Sequence, residues 1–124
     1  MRLLLISLVH QRELMAERLV EELSKETQLN NLVRKRKEQD FCLLYYSLWG
    51  KDCNEILKII EEWKKEEGYE RLYLINSWDL PHAFTAFHIT RVPSLVKTTK
   101  GRIQVIDYYP RIYSYFKSGI RQES

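Results

Sequence analysis

Only four glycines, three prolines and two cysteines occur in these 124 residues. No low-complexity stretch and no internal repeat is present, and no glycine-rich loop exists to cradle a phosphate. There is no Gly-x-Ser-x-Gly, which sets aside the usual serine-nucleophile turn. His10, His82 and His88 are scattered, with no cysteine or acid at ligand spacing, so no metal site is expected, and no cofactor either. The opening apolar run, residues 3–9, is too short to span a bilayer. It lacks a small-residue cleavage site and meets Arg12 and Glu13 at once, so a buried strand is preferred over a signal peptide. No membrane association is expected, and the cytoplasm is the default location. The two cysteines, Cys42 and Cys53, are not expected to form a disulfide. Seven extended residues from Cys42 to Trp49 carry the chain about 23 Å, whereas a disulfide needs Cα atoms within about 7 Å. Cys42 reads as a small core residue.

What is present is ordinary for a globular chain: 44% hydrophobic and 30% charged residues, and a length suited to one domain with a real core. The charge is uneven. Lys97, Lys100, Arg102, Arg111, Lys117 and Arg121 stand against Asp107 and Glu123, so the positive excess lies in residues 97–124. A second basic cluster, Arg34-Lys35-Arg36-Lys37, falls at the end of a helical pattern, where cations suit the helix dipole. That placement accounts for the run without a bound phosphate.

Hydrophobic spacing predicts a helix from Gln11 to about Ser24, with Met15, Leu19, Val20 and Leu23 on one face, and a weaker helix over 27–38. Residues 41–48 are continuously apolar, as in a strand buried on both faces. Cys53, Ile56, Leu57, Ile60 and Trp63 line one stripe of a helix over 53–67, which Gly68 stops. Residues 71–76 form a third strand, so 41–76 makes a right-handed βαβ unit with parallel strands. A short helix is expected after Asp79-Leu80-Pro81, with Ala83, Phe84 and Phe87 facing inward. Residues 94–98 and 102–108 flank a turn ending in Gly101 and form a hairpin, and residues 111–118 close the chain as a helix.

Four features taken together resemble the thioredoxin superfamily. They are Trp49-Gly50-Lys51-Asp52-Cys53 at a strand-to-helix turn, the approach Ile89-Thr90-Arg91-Val92-Pro93, the hairpin turn at Gly101, and the βαβ-then-ββα order. The resemblance runs from about residue 27 to the end. It implies a thioredoxin-like α/β fold, a three-layer α/β/α sandwich with a mixed central sheet. Residues 1–26 then form an N-terminal strand-and-helix extension to a core of 27–124, within one domain. It also implies a cis Val92-Pro93 bond opposite the motif. The departures bear on function. Gly50 stands where the family has its attacking cysteine, and Leu44 where it has a buried acid. Lys51-Asp52 replaces Gly-Pro between the cysteine positions, and the glycine after the last strand is not evident at Tyr108-Tyr109-Pro110.

Dithiol exchange needs one thiolate to attack and a second thiol to resolve the mixed disulfide. Without a sulfur at position 50, dithiol oxidoreductase activity is expected to be lost. The resemblance then points to binding of a protein or extended peptide, with Val92 offering backbone hydrogen bonds and Trp49 an apolar wall. The first alternative is a monothiol redox protein using Cys53 with glutathione or a partner's cysteine; for Cys53 itself, packing is the favoured reading. The second is a nucleic-acid-associated accessory protein that uses Tyr108, Tyr109, Tyr113, Tyr115 and Phe116 interleaved with Arg111, Lys117 and Arg121. The same residues suit a final helix packed on a sheet, which is preferred.

Overall fold

The alternation of side chains along one central strand organises the molecule. In a computed structural model that describes residues 17–121, β2 (Cys42–Tyr46) is buried along its whole length. Successive residues of a strand point to opposite faces. Cys42, Leu44 and Tyr46 enter one hydrophobic core, and Leu43 and Tyr45 enter another. The first core is closed by α2 (Lys51–Trp63) and α3 (Tyr109–Ser118), through Cys53, Ile56, Ile60, Trp63, Ile112 and Phe116. The second is closed by α1 (Glu26–Arg34) and a 3-10 helix (Pro81–Phe87), through Leu29 and Ala83. Among the described residues the result is three layers: two helices, a sheet, and two helices.

The sheet has the order β1-β3-β2-β4-β5, adding β1 (Leu19–Glu22), β3 (Arg71–Asn76), β4 (Ser94–Thr99) and β5 (Arg102–Ile106) to β2. β1 and β2 both run parallel to β3, with Leu72 opposite Val20 on one side and Cys42 on the other. β4 is antiparallel to β2 and to β5, so the sheet is mixed. β4 and β5 are joined by a two-residue turn in which Lys100 and Gly101 both have positive φ, 52° and 82°. A tight hairpin whose strands twist correctly needs that backbone, and glycine adopts it without penalty.

Several boundaries differ from expectation. Leu19–Glu22 is a strand, outermost in the sheet among the described residues, and not part of a helix. Four residues are too few for periodicity to separate strand from helix, and the open edge of β3 decides the matter. Leu19 packs with the α1-side core and Val20 with the α2-side core, as strand alternation requires. The expected strand over 3–9 and the first part of the expected helix lie outside the described residues. α1 stops at Arg34, so Lys35, Arg36 and Lys37 lie in the following turn and not on the helix. α2 begins two residues earlier than expected and ends at Trp63. α3 starts at Tyr109, with Pro110 in its first turn, where a missing N–H costs nothing.

Arg18, just before β1, ties three elements together. Its guanidinium pairs with Glu70 at 2.8 Å, donates to the carbonyls of Gly119 and Trp63, and lies 4.6 Å from the centre of the Trp63 ring. Trp63 in turn meets Phe116 edge-on at 5.1 Å, which locks α2 to α3.

Candidate functional site

The turn from β2 into α2 places each motif residue differently. Trp49 is 90% exposed. Gly50 is the residue that caps α2, with extended backbone (φ −86°, ψ 130°) that any amino acid adopts. Its carbonyl accepts the Asn54 N–H at 3.0 Å. Lys51 and Asp52 are exposed in the first helical turn. Cys53 is one position further round and points inward, 1% exposed, within the α2-side core.

The Cys53 thiol is held in its neutral form. Burial pushes its pKa up, the Ser47 N–H donated to Sγ at 3.4 Å opposes this, and Asp52 adds to the rise. Thiolate is the nucleophilic species, so this environment quiets the sulfur. Leu44 is wholly buried below the motif, an alkyl group where proton transfer would need an acid. A side chain at position 50 would press closely on the Cys53 sulfur. A Cβ built on Gly50 would lie 3.5 Å from Cys53 Cβ and 3.2 Å from its Sγ.

Cys42 is free and buried on the same core. Its Sγ lies 3.7 Å from the Tyr115 hydroxyl, and burial is the main cause of a raised pKa there too. Both cysteines are free, as the strand-length argument anticipated.

The Val92-Pro93 peptide bond is cis. Pro93 is buried and Val92 half-buried, packing against both cores. Ser94 Oγ donates to the Arg91 carbonyl at 2.7 Å and holds the loop. Ser94 pairs with Tyr45 in the sheet, so this loop and the Trp49 turn emerge at the same end. The topology thus brings Trp49, Gly50, Lys51, Asp52, Val92 and Pro93 to one end of the molecule. Cys53 sits beneath that surface and not on it.

One residue of this end escaped the sequence reading. Tyr46 pairs with Asn76, and the Ser77 N–H donates to the Tyr46 carbonyl at 2.9 Å, so the loop after β3 leaves beside the Trp49 turn. It carries Trp78, 83% exposed, whose N–H is held by Asn76 Oδ1. Leu48 is exposed as well. The available signal was an aromatic in an otherwise polar strand end, Asn76-Ser77-Trp78-Asp79.

Among the described residues, no group of three or more histidine, cysteine, aspartate or glutamate side chains is placed to hold a metal ion, and no helix is long and apolar enough to cross a membrane. The aromatic C-terminal segment is partly consumed by packing. Phe116 is buried, and Tyr109, Tyr113 and Tyr115 pack against the α2-side core, leaving Tyr108 exposed.

No family model matches this sequence, and no curated protein matches it. Solved structures do match. The thioredoxin of Malassezia sympodialis superposes with a TM-score of 0.65 at 12% identity, over 81% of this chain and 90% of that one. Thioredoxin O2 of Arabidopsis thaliana gives 0.62 at 17% identity, over 83% and 94%. The thioredoxin pre-protein of Schistosoma mansoni gives 0.65 at 14% identity, over 82% and 99%. At such identities the likeness speaks for architecture and not for activity. The chain has a thioredoxin-like α/β fold whose motif turn holds Gly50 and a buried Cys53 in place of a Cys-x-x-Cys pair.

Proposed function

We propose that this chain works by binding and not by thiol exchange, taking an extended segment of a protein partner beside the Val92-Pro93 loop. The observation that carries the reading is the exposure of Trp49 on the end of the sheet where the cis-proline loop emerges. Trp78 widens the same end. Large apolar side chains in water are a cost to a chain that does nothing with them, and tryptophan dominates binding energy where it is buried by a partner. Backbone groups at Val92 are the hydrogen-bonding counterpart, by analogy with the fold. Lys51, Asp52 and Gly50 complete the rim, and Cys53 is buried beneath it in the core.

The monothiol alternative requires a Cys53 sulfur that reaches solvent and ionises, and its burial and raised pKa weigh against this. The nucleic-acid alternative requires free aromatic faces on the C-terminal helix, and packing occupies most of them.

The test is to pan random extended peptides against the intact chain and measure the selected peptides on Trp49→Ala, Trp78→Ala and Cys53→Ser. Both tryptophans are exposed, so their variants keep the fold. We expect each tryptophan variant to weaken binding about tenfold or more, as loss of a binding hot spot does, and Cys53→Ser to bind unchanged. Peptides that ignore both tryptophans, or that bind only through a mixed disulfide with Cys53, sink the reading.

A further inference from the structure

Two basic segments that are remote in sequence meet at one corner of the fold. Because α1 stops at Arg34, Lys37 lies in the turn that packs on the β4–β5 hairpin, and a Cβ on Gly101 would be 2.9 Å from Lys37 Cγ. Lys100 and Arg102, both exposed, flank that glycine, and Lys97 lies on the neighbouring strand. The four ion pairs among the described residues are Arg18–Glu70, Lys58–Glu55, Lys64–Glu61 and Arg91–Asp107, all elsewhere. Glu38 and Asp40 are the acids adjacent in sequence, and Asp40 Oδ1 already accepts the Lys100 N–H at 2.8 Å. This corner is at the end of β4 opposite Pro93.

The strand leaving this corner is an open edge. Among the described residues β5 pairs with β4 alone, and four of its five residues are exposed. Ile103 and Val105, each 45% exposed, pair with Thr98 and Val96 and so lie on the α1 face. Arg102 and Gln104 lie on the α3 face with Lys97, beside an open cleft of about 790 Å³ lined by these residues, Thr99, Lys100 and Ile103. An edge strand presents a row of backbone N–H and C=O groups to any chain that is extended and compatible.

We propose that β5 accepts an acidic, extended segment of a partner protein as a sixth strand. Alternate side chains of such a segment would cover Ile103 and Val105, and the others, carboxylates, would face Arg102 and Lys100; Lys97, one strand further in, has its ammonium over the Tyr115 ring at 4.5 Å. Main-chain hydrogen bonds supply the affinity and the alternating side chains the choice of partner. Charge selects this occupant. A second copy would bring the same cations to the same edge, which is the usual defence against self-pairing. Residues 1–16 hold Arg2 and Arg12 against Glu13, so they have no acidic surplus to offer. Single-stranded nucleic acid stacks on aromatic faces, and the exposed side chains of this strand, Arg102, Ile103, Gln104 and Val105, include no aromatic.

The experiment titrates the full chain against a labelled peptide of alternating valine and glutamate, followed by fluorescence anisotropy. The controls are the valine–lysine peptide and the valine–glutamate peptide methylated on alternate backbone nitrogens. We expect binding of the acidic peptide that weakens with salt, about tenfold or greater loss in the Lys37→Glu, Arg102→Glu double variant, no binding of either control, and no change in Trp49→Ala. That last arm separates this edge from the tryptophan surface. Equal binding of the methylated peptide would mean charge without strand addition and overturn the proposal. So would failure of the acidic peptide to bind the wild type, a dimer dissociated by Arg102→Glu, or an oligonucleotide that outcompetes the peptide.

Discussion

At position 50 a single side chain separates this molecule from one able to hold a Cys-x-x-Cys disulfide. The backbone there is extended and accepts any residue. A Cβ would stand 3.5 Å from that of Cys53, at the near end of the 3.5–4.5 Å range of disulfides. Gly50→Cys is therefore expected to oxidise in air to an intramolecular disulfide with Cys53, read as the loss of two hydrogens by mass and of both thiols in the native protein. A variant that stays reduced under mild oxidant would show that the turn has drifted from the geometry its fold suggests. The same substitution is not expected to bring full oxidoreductase activity, because Leu44 still stands where an acid would assist proton transfer. The identity of these residues was readable in the sequence, since chemistry belongs to side chains. The orientation of Cys53 was readable only as a stripe position, and its burial came from α2 and α3 closing over it.

Among the elements, β1 owes most to contacts outside itself. It is short, half-exposed and, among the described residues, paired on one side, and Arg18 is the anchor that joins its start to α2 and to the end of α3. Arg18→Ala removes a charged pair, two donated bonds and a cation–π contact. We expect a loss of about 2–3 kcal/mol, from the worth of hydrogen bonds to charged groups, measured by urea unfolding at neutral pH. For Glu70, burial pushes the pKa up, but the bonds and charge of Arg18 outweigh it and hold the carboxyl below its ordinary value. A lowered folded pKa gives stability that is present above the unfolded value of about 4.3 and is lost as pH falls through the folded one. The difference between wild type and variant should thus shrink in acid. A constant difference across that range would assign the effect to Trp63 packing. The helical expectation for this segment failed because Met15, Leu19, Val20 and Leu23 fit a helical face as well as Leu19 and Val20 fit the two sides of a strand. By contrast β3 lay where the apolar run placed it, and α2 where its stripe did, since long segments carry enough periodicity to decide themselves.

On the scale of the whole molecule, the two cores on either side of the sheet bury ionisable groups in neutral form. Cys42 and Cys53 have raised pKa values, with burial the first cause in each, and so do Tyr45, Tyr46 and Tyr115. Each of these groups loses its proton more readily in the unfolded chain than in the folded one. Stability is therefore intact below the unfolded cysteine value of about 8.5 and falls as pH rises beyond it, more steeply past the tyrosine value of about 10. Urea midpoints from pH 7 to 11 should fall in those two stages, and Cys42→Ala with Cys53→Ala should flatten the first. A flat profile in the wild type would mean that these thiols and phenols reach water.

Residue types and long periodic segments carried what the sequence determined. It excluded a dithiol at the motif turn, placed β2, α2 and β3, and marked Pro93 and Gly101 by the order of motifs around them. These are local properties, legible because each rests on one side chain or on many in register. Tertiary structure decided what depends on distant segments meeting. A free edge on β3 made residues 19–22 a strand. Adjacent strand ends bring the Trp78 loop and the Trp49 turn to one end, and the turn after α1 brings Lys37 against Gly101. Strand pairing satisfies backbone groups that no single segment satisfies by itself, and so the neighbour, more than the local pattern, sets these outcomes.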